Sequence, residues 1–191
     1  MGGSGALGTA RTTEEASMHR ILFVPVAVLL LALTATVAAG QNPPAVPPEQ
    51  VQAYLKGYKE VPAVSTRASG EFRGELYATE LYYDLTYADI EAPATVAQLR
   101  LGQKGARGGA IAYLCGGGGR PACAEYNGKV EGVLTAADIV GPDGQGIEAG
   151  HFRETARAIR AGVVYVEVRS IRFPYGEIRG QLYIPPPPPK P

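Results

Sequence analysis

The sequence has no tryptophan, only two histidines and two cysteines, and no net charge, with eighteen acidic side chains balancing eighteen basic ones. Each shortage closes off a class of function. Without an excess of positive charge, the long-range attraction that draws proteins to nucleic acid or anionic lipid is missing, so no nucleic-acid partner is expected. One histidine, His19, lies in the N-terminal segment, which leaves His151 alone in the rest of the chain. A lone histidine and two cysteines do not supply the four ligands of a structural zinc site, and their spacing is not that of a CxxC redox motif. HExxH, a Walker loop and a GxGxxG turn after a strand are all missing, and the run of glycines at 116–119 has no lysine and no helix behind it. The expectation is a non-catalytic protein without a cofactor or metal.

What the sequence does have is glycine (25), proline (16) and an excess of tyrosine (11) over phenylalanine (4). This balance favours turns and half-buried strands over long helices. Residues 21–39 (ILFVPVAVLLLALTATVAA) carry no charge, follow His19 and Arg20, and end in small residues before the chain turns polar at Gln41. The basic, apolar, small-residue order is that of a secretory signal peptide, with cleavage after Ala39 or Gly40. A retained membrane helix is the alternative, since about 20 apolar residues span a bilayer; the small-residue ending and the lack of a basic flank favour cleavage. A membrane association is therefore expected only if the leader is retained. Residues 1–17 fit this plan poorly because Glu14 and Glu15 stand where basic residues belong. They read as a disordered extension or a mis-assigned start, with translation beginning at Met18. The expected organisation is thus a signal peptide at 18–40, a proline-rich spacer at 41–53, a β domain at 54–184 and a polyproline tail at 185–191.

Within the domain, period-2 alternation recurs in eight segments: 51–58, 71–78, 81–87, 95–101, 109–115, 129–134, 163–168 and 177–184. In 81–87, for example, Leu81, Tyr83, Leu85 and Tyr87 share a face. Eight short strands with glycine- or proline-marked turns predict an all-β fold, a Greek-key-like sandwich or partly closed barrel of antiparallel strands. One short helix is predicted at 151–161, where Phe152, Ala156 and Ile159 recur at helical spacing and Gly162 supplies the stop. Cys115 and Cys123, with seven residues between them, would close a small loop in an exported protein, pinning a glycine-rich hairpin tip.

Three separated motifs carry a family resemblance. KGYKEVPAVSTRASG (56–70) resembles the opening motif of the CHRD domain of chordin, GVLTAADIVGPDGQGIEAG (132–150) with AIRAG (158–162) is similar to bacterial members, and YVEVRSIRFPYGEIRGQL (165–182) resembles the closing motif. The Cys115–Cys123 insertion also matches bacterial relatives. The resemblance covers about residues 54–184 and implies an exported interaction domain, secreted, periplasmic or in the cell envelope. It does not carry a ligand, because fold-level likeness does not. A structural envelope or matrix protein is the alternative.

The family usually carries a His-x-His pair on a central strand and a further histidine in the penultimate one. The matching positions here are Gln98, Arg100 and Arg169, with Glu167 two residues before Arg169. Guanidinium groups have no lone pair to donate to a metal. A superoxide-dismutase-like or metal-binding role, if it exists among relatives, would have lost its ligands in this chain. Gln98, Arg100, Glu167 and Arg169 are therefore expected to form a charged cluster. Two readings fit it: a carboxylate bridging two arginines, or a site for an anionic glycan or a protein partner. Glu177 and Arg179, at i and i+2 in the closing motif, are expected to project from one face of a strand as a register-fixing pair.

Overall fold

The computed structural model describes residues 47–186. The chain divides into two units, Met1–Pro43 and Pro44–Pro191, and all the described residues lie in the second. The N-terminal extension, the leader, the start of the spacer and the end of the polyproline tail lie outside the described residues.

Eight strands form one antiparallel sheet: β1 (Glu49–Lys56), β2 (Ser69–Leu76), β3 (Leu81–Ala88), β4 (Ala94–Leu101), β5 (Ala110–Cys115), β6 (Gly128–Leu134), β7 (Val164–Ser170) and β8 (Ile178–Gln181). Their order across the sheet is β5-β4-β7-β8-β1-β2-β3-β6. The sheet curls into a nearly closed barrel, and the Tyr83 hydroxyl of β3 donates to the Leu114 carbonyl of β5 across the remaining gap at 3.4 Å. Of the two architectures that the alternation allows, the chain adopts the barrel.

Alternation explains the interior. A period of two turns every second side chain inward, and Val51, Ala53, Leu55, Phe72, Leu76, Leu81, Leu85, Leu99, Val166, Val168 and Ile178 are all buried. At about 25 cal/mol for each Å² of apolar surface removed from water, this row of side chains is the main stabilising term. Gly180 serves the closure of the sheet, because a Cβ there would lie 2.7 Å from the Tyr54 carbonyl oxygen on the neighbouring strand. The single α-helix among the described residues, α1 (Phe152–Arg160), buries Phe152, Thr155, Ala156 and Ile159. It packs where β1 begins, and Arg160 Nη2 meets Glu49 Oε1 at 2.6 Å.

Strand β1 begins at Glu49 and places Val51 and Ala53 in the core. The domain therefore starts upstream of Tyr54, and the end of the expected spacer is core-forming strand. At the other end, β8 covers Ile178–Gln181 only, with Tyr183 in an isolated bridge to Gln52.

Cys115 and Cys123 form a disulfide. Inside its loop, the Gly116 amide donates to the Pro121 carbonyl at 2.8 Å and the Arg120 amide to the Gly117 carbonyl at 2.9 Å. Arg120 Nη2 then reaches the Val133 carbonyl at 3.0 Å and Asp138 Oδ1 at 2.7 Å, tying the loop after β5 to the end of β6. Replacing both cysteines with serine is expected to cost about 2 kcal/mol, through the loss of loop-closure entropy in the unfolded chain. Thermal unfolding would show this as a drop in Tm of roughly 6–8 °C.

Candidate functional site

The outer face of β4, β7, β8 and β1 is polar and is roofed by two connections. Register places Gln98 opposite Glu167, Glu167 opposite Arg179, and Arg179 opposite Lys56, so one row of polar side chains crosses four strands. In the next row Arg100 faces Tyr165 and Tyr165 faces Gln181.

Segment 102–109, between β4 and β5, folds back over these rows. The Gly108 amide donates to the Tyr165 hydroxyl at 3.2 Å, and the Gln103 carbonyl accepts from Arg179 Nη2 at 3.1 Å. Segment 57–68, between β1 and β2, is the second part of the roof. Arg107 joins the two, donating from Nε to the Val61 carbonyl and from Nη2 to the Tyr175 carbonyl at 3.1 Å. A surface-facing polar row thus becomes a buried polar layer: Glu60, Gln98, Glu167, Glu177 and Arg179 are each at most 5% exposed.

The residues at the resemblance's three histidine positions, Gln98, Arg100 and Arg169, come together with Glu167. Glu167 Oε2 lies 2.6 Å from Arg169 Nε and 3.6 Å from Arg100 Nε. Arg100 also donates to Gln98 Oε1 at 2.7 Å, to the Gly108 carbonyl at 2.5 Å and to the Tyr165 hydroxyl at 3.2 Å. Its guanidinium is committed to internal acceptors, so an anion reaching it would have to displace them. His151, at the start of α1, lies near Glu148 Oε2 and Glu154 Oε2 at 3.6 and 3.7 Å. Among the described residues, no three His, Cys, Asp or Glu side chains converge as a metal site would require.

The register pair expected from Glu177 and Arg179 is not an ion pair. The strand begins at Ile178, so Glu177 precedes it and is not held to the strand's alternation. Glu177 Oε1 instead accepts from Thr66 Oγ1 at 3.0 Å and from the Glu91 amide at 2.8 Å, fastening two connections. Arg179 stacks on Tyr165, its guanidinium carbon 3.5 Å from the ring centroid. Burial pushes the Arg179 guanidinium down from its ordinary range, opposed by Tyr165, Glu60 and Glu167.

Sequence reasoning did not single out Glu60. It follows a 3-10 turn, Gly57–Lys59, and its amide donates to the Gly57 carbonyl at 2.9 Å. Its carboxyl oxygens are buried without a hydrogen-bond partner. They rest against Gly176, where a Cβ would come within 2.6 Å of Oε1; the φ of +128° there also favours glycine. Burial, reinforced by the Glu167 carboxylate, pushes the Glu60 carboxyl up to about 7, against the opposing pull of Arg179 and Arg107. The Val61 amide is close, but its geometry falls short of a hydrogen bond to the carboxyl.

A cavity of about 370 Å³ opens beside this carboxyl, its wall including Glu60, Arg179, Gln181, Lys59, Lys104 and three tyrosines, Tyr54, Tyr58 and Tyr183. Arg179 Nη1 and Gln181 Oε1 are, like the Glu60 oxygens, buried without partners. Such groups are costly unless something satisfies them. A larger hollow of about 780 Å³ lies against α1, but none of the unpartnered buried atoms belongs to its wall.

A family model for the CHRD domain matches residues 51–182. The chain belongs to the CHRD family. No curated protein and no solved structure matches it. The match begins at Val51 and ends at Leu182, both buried in the barrel, so the CHRD domain and the folded core have almost the same limits. The roof segments, the Glu167 cluster and every residue of the Glu60 cavity wall but Tyr183 lie within it.

Proposed function

We propose that this CHRD-domain protein is exported and acts without catalysis as a binding module, with its ligand site in the cavity beside Glu60. The observation that carries this reading is the convergence of Glu60, Arg179, Gln181, Lys59 and Lys104 with three tyrosines on one cavity wall. Ligand pockets of roughly 300 Å³ and above commonly present a few such polar groups among apolar ones. The barrel interior is filled by side chains, so a ligand has to be met on the outside of the barrel. Among the described residues, Glu60 is the only carboxyl on the cavity wall. Export is supported by the leader-like run at 21–39 and by the disulfide, since such bonds persist in oxidising compartments. Among the described residues, no helix is long and apolar enough to cross a membrane.

The test is a thermal-shift panel of neutral and acidic sugars, amino acids, nucleotides, copper and zinc on the chain from Gln41 onward. It is run in parallel on Tyr58→Ala, which alters an exposed ring of the cavity wall. Any ligand that favours the folded state raises Tm. At least one non-metal class should raise Tm in the parent and do so clearly less in the variant. A panel that shifts only with copper or zinc, or shifts both proteins equally, would overturn the reading.

A further inference from the structure

We infer that the cavity beside Glu60 takes a carboxylated sugar, a hydroxyl-rich ring bearing a single carboxylate, as in a uronic acid unit. The inference rests on the binding-module reading above and names its ligand class. Three features of the wall point to that chemistry together. The polar side chains of the wall are mixed in kind: Arg179, Lys59 and Lys104 can only donate, the Gln181 amide carries an acceptor oxygen, and the Glu60 carboxyl does either according to its proton. A hydroxyl both donates and accepts, so adjacent hydroxyls on one ring satisfy such a set where a purely anionic or purely apolar ligand would not.

The cations at the rim call for a negative charge. Lys59 and Lys104 line the cavity, and neither forms an ion pair with a described carboxylate. Burial together with the nearby charges of Lys104 and Lys56 pushes the Lys59 ammonium down from its ordinary range, the mark of cations held close together. Lys59 Nζ already donates to the Tyr54 carbonyl at 2.6 Å, which holds it at the rim. Around these stand the rings of Tyr54, Tyr58 and Tyr183, all substantially exposed. Amphipathic rings of this kind offer an apolar face beside a polar tip, suited to the C–H face of a sugar. The Glu167 cluster, by contrast, has its guanidiniums already engaged, so the anion-binding role belongs to the lysines.

Isothermal titration with D-galacturonate, digalacturonate, D-galactose and inorganic sulfate, on the chain from Gln41 onward, tests this. Uronates should bind saturably, at least tenfold more tightly than galactose and than sulfate. Lys104→Gln, an exposed side chain with no part in the core, should weaken uronate binding about five- to tenfold and leave the Tm of the unliganded protein unchanged. No saturable uronate binding, equal binding of sulfate, or equal binding of galactose would each overturn the inference, as would an affinity unmoved by Lys104→Gln. If uronates fail while another non-metal ligand gives a Tyr58-dependent shift, the binding-module reading stands and only the ligand class falls. If no such ligand does, both fall.

Discussion

At pH 8, Glu60→Gln is expected to raise the stability of the domain by up to about 3 kcal/mol, and at pH 4 to leave it nearly unchanged. The argument is one of proton linkage. An ordinary glutamate in the unfolded chain ionises near 4.5, whereas the folded protein holds the Glu60 proton until about 7. Between those values the folded state binds one more proton than the unfolded state, so stability falls as pH rises. It falls by about 1.4 kcal/mol for each pH unit and stays lowered above pH 7. The full difference is a ceiling, because the folded protein can relax around the carboxyl once it ionises.

Glutamine has the size of a protonated glutamate and cannot ionise, so the variant lacks this one contribution and shares every other titration. The charged groups that set the Glu60 value, Glu167, Arg179 and Arg107, are the same in both proteins. Urea denaturation at pH 4, 6 and 8 should therefore give a difference between variant and parent that grows with pH. A constant difference would mean that the carboxyl ionises at the same pH in the folded protein as in the unfolded chain. For a domain whose net stability is typically about 5–15 kcal/mol, a gain of this size is large. It would mark Glu60 as a residue kept at a cost to stability, as groups at binding sites often are.

The barrel was legible in the sequence because only one face of each strand is packed inside it. Leu81, Tyr83, Leu85 and Tyr87 alternate as a single inward row, and the register against β2 sets Leu85 beside Phe72 and Leu81 beside Leu76. The start of β1 was harder to see, because Pro47 and Pro48 directly precede Glu49 and make the segment read as spacer. Gln98, Arg100, Glu167 and Arg169 could be grouped in advance because i, i+2 spacing on two strands predicts shared faces. That β4 and β7 are neighbours came from the resemblance and not from spacing.

Glu60 gave no comparable signal. It lies in an irregular connection, where no periodicity assigns a face, and its burial depends on residues more than forty positions away. Arg107 pins the roof to Val61 and Tyr175, and Gly176 opens the space that the carboxyl fills. The one local hint was its place in the Glu-Val-Pro of the opening motif. Glu177 and Arg179 went differently for a related reason. Alternation holds only inside a strand, and Glu177 stands one residue before β8.

The largest loss is expected from Glu167→Ala, about 3 kcal/mol or more, measured by urea denaturation at pH 7. Its carboxylate is 2% exposed and is shared by Arg169 at 2.6 Å and Arg100 at 3.6 Å. Removing one member of a buried ion pair costs about 3–5 kcal/mol, because the remaining charge stays desolvated and uncompensated. Arg100 and Arg169 are 15% and 23% exposed, so some of that penalty is relieved by turning toward water, which places the value at the lower end. Arg169→Ala should cost much less, about 1 kcal/mol, because Arg100 still neutralises the carboxylate and only a partly exposed contact is lost. The decisive comparison is the triple replacement of Arg100, Glu167 and Arg169 by methionine. Buried ionic groups exchanged together for apolar side chains of similar volume are often neutral in stability, so this variant should recover most of what Glu167→Ala loses. A triple variant as unstable as the single one would mean that Arg100 acts through its bonds to Gln98, Gly108 and Tyr165, and that holding the roof segment is its main role.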